Sequence, residues 1–159
     1  ADYRTRAMPG RLGKYFQLSS TERRLFWAAC LQLSKARRSL RLKSFSEQVS
    51  GLRRLAGDSG AQAVDPEQLA LAEKVGRAIG RAANTLPWES SCLVRVLAAQ
   101  RMLQARGVPG AFFIGADKGE QPGELDFAAH AWLVCGDRFV TGEEGHERYT
   151  VLSCFSWGA

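Results

Sequence analysis

Two stretches decide how this chain reads: Pro87-Trp88-Glu89-Ser90-Ser91-Cys92-Leu93 and Phe127-Ala128-Ala129-His130-Ala131-Trp132-Leu133-Val134. The first leads into Leu93, Val96, Leu97, Gln100 and Leu103, a spacing that predicts an amphipathic helix with Cys92 in its first turn. A thiol there faces backbone N–H groups with no helical partner and the positive end of the dipole, and both favour the thiolate. The second stretch reads as a strand with a histidine at its centre. An imidazole is the base that a cysteine nucleophile needs.

The segments around this pair extend the pattern. Ser19-Ser20-Thr21-Glu22 is a capping box opening a helix through Leu25, Phe26, Ala29 and Leu33 towards Leu40. Arg37, Arg38, Arg41 and Lys43 make its last turns basic, which suits a helix C-terminus. A second short helix is expected over 45–55. Asp65-Pro66 predicts an N-cap and first position for a helix on Leu69, Ala72, Val75 and Ile79, ending near Asn84. Gly76 and Gly80 inside it suit close packing against a neighbour. The Cys92 helix is expected to end near Arg106, with Gly107 just past its end and Pro109 beyond.

A short strand then covers 111–116, and an acidic loop 117–126. The His130 strand follows over 127–135, with a hairpin turn at Gly136-Asp137. A return strand covers 138–141, a turn 142–148 and a last strand 149–156. Helices first and an antiparallel sheet after predict an α+β fold, with the Cys92 helix packed on the sheet. Residues 1–60 are expected to form a basic helical segment and 61–159 the catalytic core, the two making one compact unit.

At 159 residues the chain supports a real core. No apolar run approaches the roughly 20 residues that span a bilayer. The polar, basic N-terminus is unlike a signal peptide, so a cytoplasmic location is expected. The four cysteines, Cys30, Cys92, Cys135 and Cys154, form no CxxC pair, and only His130 and His146 accompany them. That argues against a standard zinc site and, without a secretion signal, against disulfides. Residues 1–60 carry 13 Lys or Arg against 4 Asp or Glu, while 61–159 carry 9 against 12. The first part is therefore a basic surface suited to an acidic partner, anionic lipid or nucleic acid, or simply a solvated helix face. Its arginines have little aromatic interleaving, which speaks against nucleic acid.

Alternation sets His130, Trp132 and Val134 on one face of their strand, and Ala129, Ala131, Leu133 and Cys135 on the other. The small Ala128 shares the His130 face, where a helix carrying Cys92 is expected to approach. A base of this kind is oriented by a third group on its other ring nitrogen. Glu143, just past the return strand, is the first candidate; Asp137, Glu144 and Glu89 are alternatives. The backbone N–H of Cys92 is the natural first oxyanion donor. Trp88 is expected to pack its loop, Cys30, Cys135 and Cys154 to be core, and His146 to be exposed.

Taken in order, Leu86-Pro87-Trp88-x-x-x-Cys92-Leu93, Leu103-x-x-x-Gly107-Val108-Pro109, Ile114-Gly115 and Ala129-His130-Ala131-Trp132 resemble the transglutaminase-like domain of lasso-peptide leader peptidases. Leu18-Ser19-x-x-Glu22-Arg23-Arg24-Leu25 resembles the segment preceding that core, so the likeness covers most of residues 12–155. The resemblance implies a cysteine protease that removes the leader from a ribosomally made precursor, and a partner cyclase that then closes the core peptide. Its nucleophile falls on Cys92 and its base on His130; a Glu stands where an acidic Asp would follow the return strand. Too little chain precedes residue 15 for a fused leader-recognition domain, which implies a separate recognition protein. No cofactor is required. The competing expectations are a transglutaminase or acyltransferase on the same fold, and a non-catalytic peptide-binding module.

Overall fold

The computed structural model describes residues 11–56, 62–117 and 129–158. Helix α1 (Arg11–Phe16) precedes α2 (Ser20–Leu42), which begins on the expected capping box. The Ser19 hydroxyl accepts from the Glu22 N–H at 3.2 Å, and the Glu22 carboxylate accepts from the Ser19 N–H at 2.8 Å. That exchange satisfies two amides that a helix start leaves open. One stripe of α2, Leu25, Phe26, Ala29, Leu33 and Ala36, is buried.

The segment expected as one helix over 45–55 is instead two elements: α3 (Phe45–Val49) and strand β1 (Arg53–Leu55). The chain turns at Ser50-Gly51, and Arg53, Arg54 and Leu55 pair with the edge of the last strand. Ladder hydrogen bonds to an open sheet edge outweigh the modest helix propensity of so short a run.

Helix α4 (Pro66–Thr85) starts on Asp65, whose carboxylate accepts from the Gln68 N–H at 2.8 Å. Gly76 within it meets β4 closely: a Cβ there would lie 2.6 Å from the Val140 carbonyl oxygen. Gly80 has open space around it, so only the first glycine serves close packing. Helix α5 (Cys92–Gln104) follows, and Gly107 ends the segment in the left-handed region at φ +66°.

Strands β2 (Gly110–Asp117), β3 (Ala129–Cys135), β4 (Arg138–Thr141) and β5 (Tyr149–Trp157) join β1 in one antiparallel sheet of order β1-β5-β2-β3-β4. The β3–β4 hairpin turns at Gly136-Asp137, with Gly136 at φ +58°. Most of the acidic loop expected over 117–126, and the start of the His130 strand at 127–128, lie outside the described residues. A short 3-10 turn, His146–Arg148, leads into β5.

The sheet has two unlike faces. Phe112, Ala131, Leu133, Cys135 and Phe155 join α2, α4 and α5 in the main core. Ala111, Phe113, Trp132 and Cys154 form a smaller cluster on the opposite face, joined by Val134, Phe139, Tyr149 and Val151. Large side chains such as Leu33, Leu97, Leu103 and Phe112 are fully buried in the main core. Each contributes about 1.5–3 kcal/mol by leaving water. Since α2 packs on both α4 and α5, the basic N-terminal helices and the sheet share that core.

Candidate active site

Ser91 is the N-cap of α5, its hydroxyl accepting from the Val94 N–H at 3.3 Å, so Cys92 is the first helical residue. Its thiol is half-buried beside the main core. The first amides of the helix have no intrahelical acceptor and present partial positive charge beside the sulfur. Two residues earlier, Ser90 is 6% exposed and its hydroxyl has no partner among the described residues; the Arg95 Nε, one turn on, is likewise buried and unpartnered.

Five residues carry the chain from the end of α5 to β2. The Cys135 thiol donates to the Pro109 carbonyl at 3.2 Å, fixing that connection beside the end of β3. Running back over β2 and β3, the 13 residues of α5 rise about 18 Å. The five steps from Gly110 to Gly115 span about 17 Å. The two lengths match, so a straight antiparallel course of α5 along β2 would set Cys92 level with the Gly115–His130 pair.

The faces differ, however. His130 follows the alternation read from the sequence and shares a face with Trp132, but α5 covers the other face, that of Ala131, Leu133 and Cys135. The expected approach of the Cys92 helix to the His130 face is thus corrected. The imidazole is stacked near Trp132, with ring centroids 5.8 Å apart, and tilted against Tyr149 at 5.0 Å. Among the described residues no hydrogen bond joins Cys92 to His130.

The third group also differs. His130 Nε2 lies 2.8 Å from the Gly142 carbonyl oxygen. A carbonyl only accepts, so Nε2 is the donor in this bond. Backbone, not the Glu143 carboxylate, holds the ring. Glu143 is exposed, and it is its carbonyl that is used, accepting from the His146 ring at 2.6 Å. Asp137 is exposed and pairs with Arg138 at 3.6 Å. Glu144 and Glu89 are exposed as well and make no bond to the ring. The sequence signal for the real holder was the glycine ending the return strand.

His146, expected in solvent, packs its ring on Phe139 at 4.6 Å and Trp132 at 5.8 Å. Both histidines therefore lie on the smaller aromatic cluster. Trp88 packs as expected, with the Arg37 guanidinium 4.5 Å over its ring. All four cysteines are free thiols. Burial pushes the Cys135 thiol up to about 11 and raises Cys30, leaving both poor nucleophiles at neutral pH.

Gly142 sits at φ +79°, and a Cβ there would lie 2.5 Å from the Ala131 carbonyl oxygen and 2.9 Å from Trp132 Cα. Gly142→Ala should therefore destabilise the protein by about 2–4 kcal/mol, from left-handed backbone plus overpacking. A thermal melt should fall by roughly 5–15 °C. An unchanged melting temperature would show that the carbonyl is not fixed in this position.

No helix among the described residues is long and apolar enough to cross a membrane. Nothing matches among the curated proteins or the solved structures. The profile of the transglutaminase-like superfamily, by contrast, matches residues 33–154, from the middle of α2 to the last strand and including both Cys92 and His130. A helix opening on a cysteine, laid on an antiparallel sheet that carries a histidine, has its place in that match: the chain belongs to the transglutaminase-like superfamily.

Proposed function

We propose that the protein is a cysteine endopeptidase with Cys92 as nucleophile and His130 as base. The observation that carries this reading is Cys92 on the first position of α5, within a match to the transglutaminase-like superfamily that spans both Cys92 and His130. The chemistry is two displacements. Cys92 Sγ bonds to the scissile carbonyl carbon as its proton passes to His130. The C–N bond breaks as that proton reaches the leaving amine, and water then hydrolyses the thioester. The first amides of α5 are suited to receive the oxyanion.

This sequence requires the imidazole to leave the Trp132–Tyr149 stack, give up its bond to the Gly142 carbonyl and reach the Cys92 side of the sheet.

The finer reading rests on the ordered motifs around Trp88, Cys92, Gly107, Pro109 and the Ala129–Trp132 run. They support a substrate that is a ribosomally made lasso precursor, cut between leader and core, in cooperation with a leader-recognition protein and a cyclase. The test is mass spectrometry after incubation of the protein with precursor and recognition protein. Free leader plus free core peptide is the expected product. An amide adduct of the leader with an added amine, at the expense of hydrolysis, would instead assign a transglutaminase-type transfer. Intact precursor in every combination would remove the enzymatic reading.

A further inference from the structure

We infer that the outer face of α2, with the aromatic pocket at its N-terminal end, is a docking surface for an acidic peptide segment carrying an apolar anchor residue. On α2 the side chains of Arg24, Trp27, Leu31, Lys35, Arg38 and Leu42 recur every three or four residues and form one stripe. All six are exposed, with Trp27 at 60%, Leu31 at 53% and Leu42 at 71%. The stripe is opposite the Leu25–Ala29–Leu33–Ala36 side that enters the core, so the fold itself leaves it uncovered.

Its composition is selective. Three cations and three large apolar groups share it, and no acid lies on it. Glu22, the only acid of α2, is turned towards Arg81 of α4, 3.7 Å away. None of Arg24, Lys35 and Arg38 is ion-paired among the described residues. Singly exposed apolar side chains are ordinary, but a tryptophan and a leucine one turn apart, set among unpaired cations, suit an amphipathic anionic partner.

The pocket adds the anchor. It encloses about 570 Å³ between α1, α2 and the end of α4. Tyr15, Phe16, Leu18 and Trp27 supply apolar walls, with Lys14 and Arg81 at the lining. The wall is preformed: the Trp27 indole N–H donates to the Tyr15 hydroxyl at 2.8 Å, and Tyr15 meets Phe16 and Phe26 edge-on at 5.6 and 5.7 Å. A concave aromatic pocket takes an inserted side chain, which a bilayer surface does not offer. Helices that lie on membranes sink a continuous apolar face into lipid, whereas on this face of α2 Lys35 and Arg38 stand between Leu31 and Leu42. From Trp27 to Leu42 the stripe runs about 22 Å, the reach of about seven extended residues. The committed occupant is therefore a short acidic peptide, one aromatic or branched aliphatic side chain in the pocket and its carboxylates along α2.

Binding is read directly and needs no turnover, so the surface and the Cys92 chemistry stand or fall separately. The probes are fluorescein-labelled peptides of about 12 residues, Glu-rich with one central Trp or Leu, enough to cover the stripe. Controls replace the anchor by Ala or every Glu by Gln. Fluorescence anisotropy with the full protein should give a dissociation constant near the micromolar range that weakens as salt rises. Trp27→Ala, and separately Leu31→Ala with Arg38→Glu, should each weaken it about tenfold or more with circular dichroism unchanged. Overturning results are equal binding by the Ala-anchor or all-Gln peptide, indifference to both variants, or no binding at all. Tighter association with anionic phosphatidylserine vesicles or a single-stranded oligonucleotide than with the peptide would equally overturn it.

Discussion

Cys92→Ala is expected to reduce turnover by at least about a thousandfold, since loss of a nucleophile leaves only what binding and oxyanion contacts contribute. The stability of the protein should change by less than about 1 kcal/mol, because the thiol is half-buried and alanine is a better helix former. Lost activity with an unchanged melt therefore points to chemistry rather than to unfolding. Labelling supplies an independent reading. Iodoacetamide at neutral pH should modify Cys92 ahead of the others: Cys135 and Cys154 are buried, and burial raises the Cys30 thiol. The label should vanish in Cys92→Ala. Cleavage retained by that variant, or first labelling at Cys30, would exclude Cys92 as the nucleophile.

The elements that the sequence discloses best are those with local chemical causes. Ser19 with Glu22, Asp65 with Pro66, and Ser91 before Cys92 each mark a helix start through a side chain that caps open amides, and each start falls where its cap stands. The β3–β4 hairpin is likewise written in Gly136-Asp137. β1 is different. Three residues form a strand there only because the edge of β5 is open beside them, and that edge is supplied some 100 positions later in the chain.

The site shows the same division. Alternation along β3 sorts its side chains into two sets, but both sets are apolar: Ala131, Leu133 and Cys135 against Trp132 and Val134. A strand apolar on both faces does not announce which one the helices will cover. The smaller cluster of Phe113, Trp132, Phe139 and Tyr149 occupies the other face, and His130 goes with it. The ring's holder was hidden for a related reason. A search for a carboxylate looks for Asp or Glu, whereas the Gly142 carbonyl belongs to a residue without a side chain, and only its left-handed φ and its fit against Ala131 reveal the role.

The second large effect concerns His130. His130→Ala should lower kcat by about a thousandfold while KM stays near its original value, the signature of a group used in the transition state rather than in binding. Geometry makes a sharper demand than activity does, because the imidazole sits on the face away from α5. His130→Cys places a thiol on the same strand position, and dibromobimane becomes fluorescent only when it bridges two thiols a few ångströms apart. A bridge between Cys92 and the introduced thiol, located by peptide mapping and abolished when Cys92→Ala is added, is the expected result. It would show that the start of β3 reaches the Cys92 side in solution. If no bridge forms even with substrate present, the ring stays on the Trp132 face. The proton from Cys92 must then pass to another group, and His130 belongs to the aromatic cluster alone.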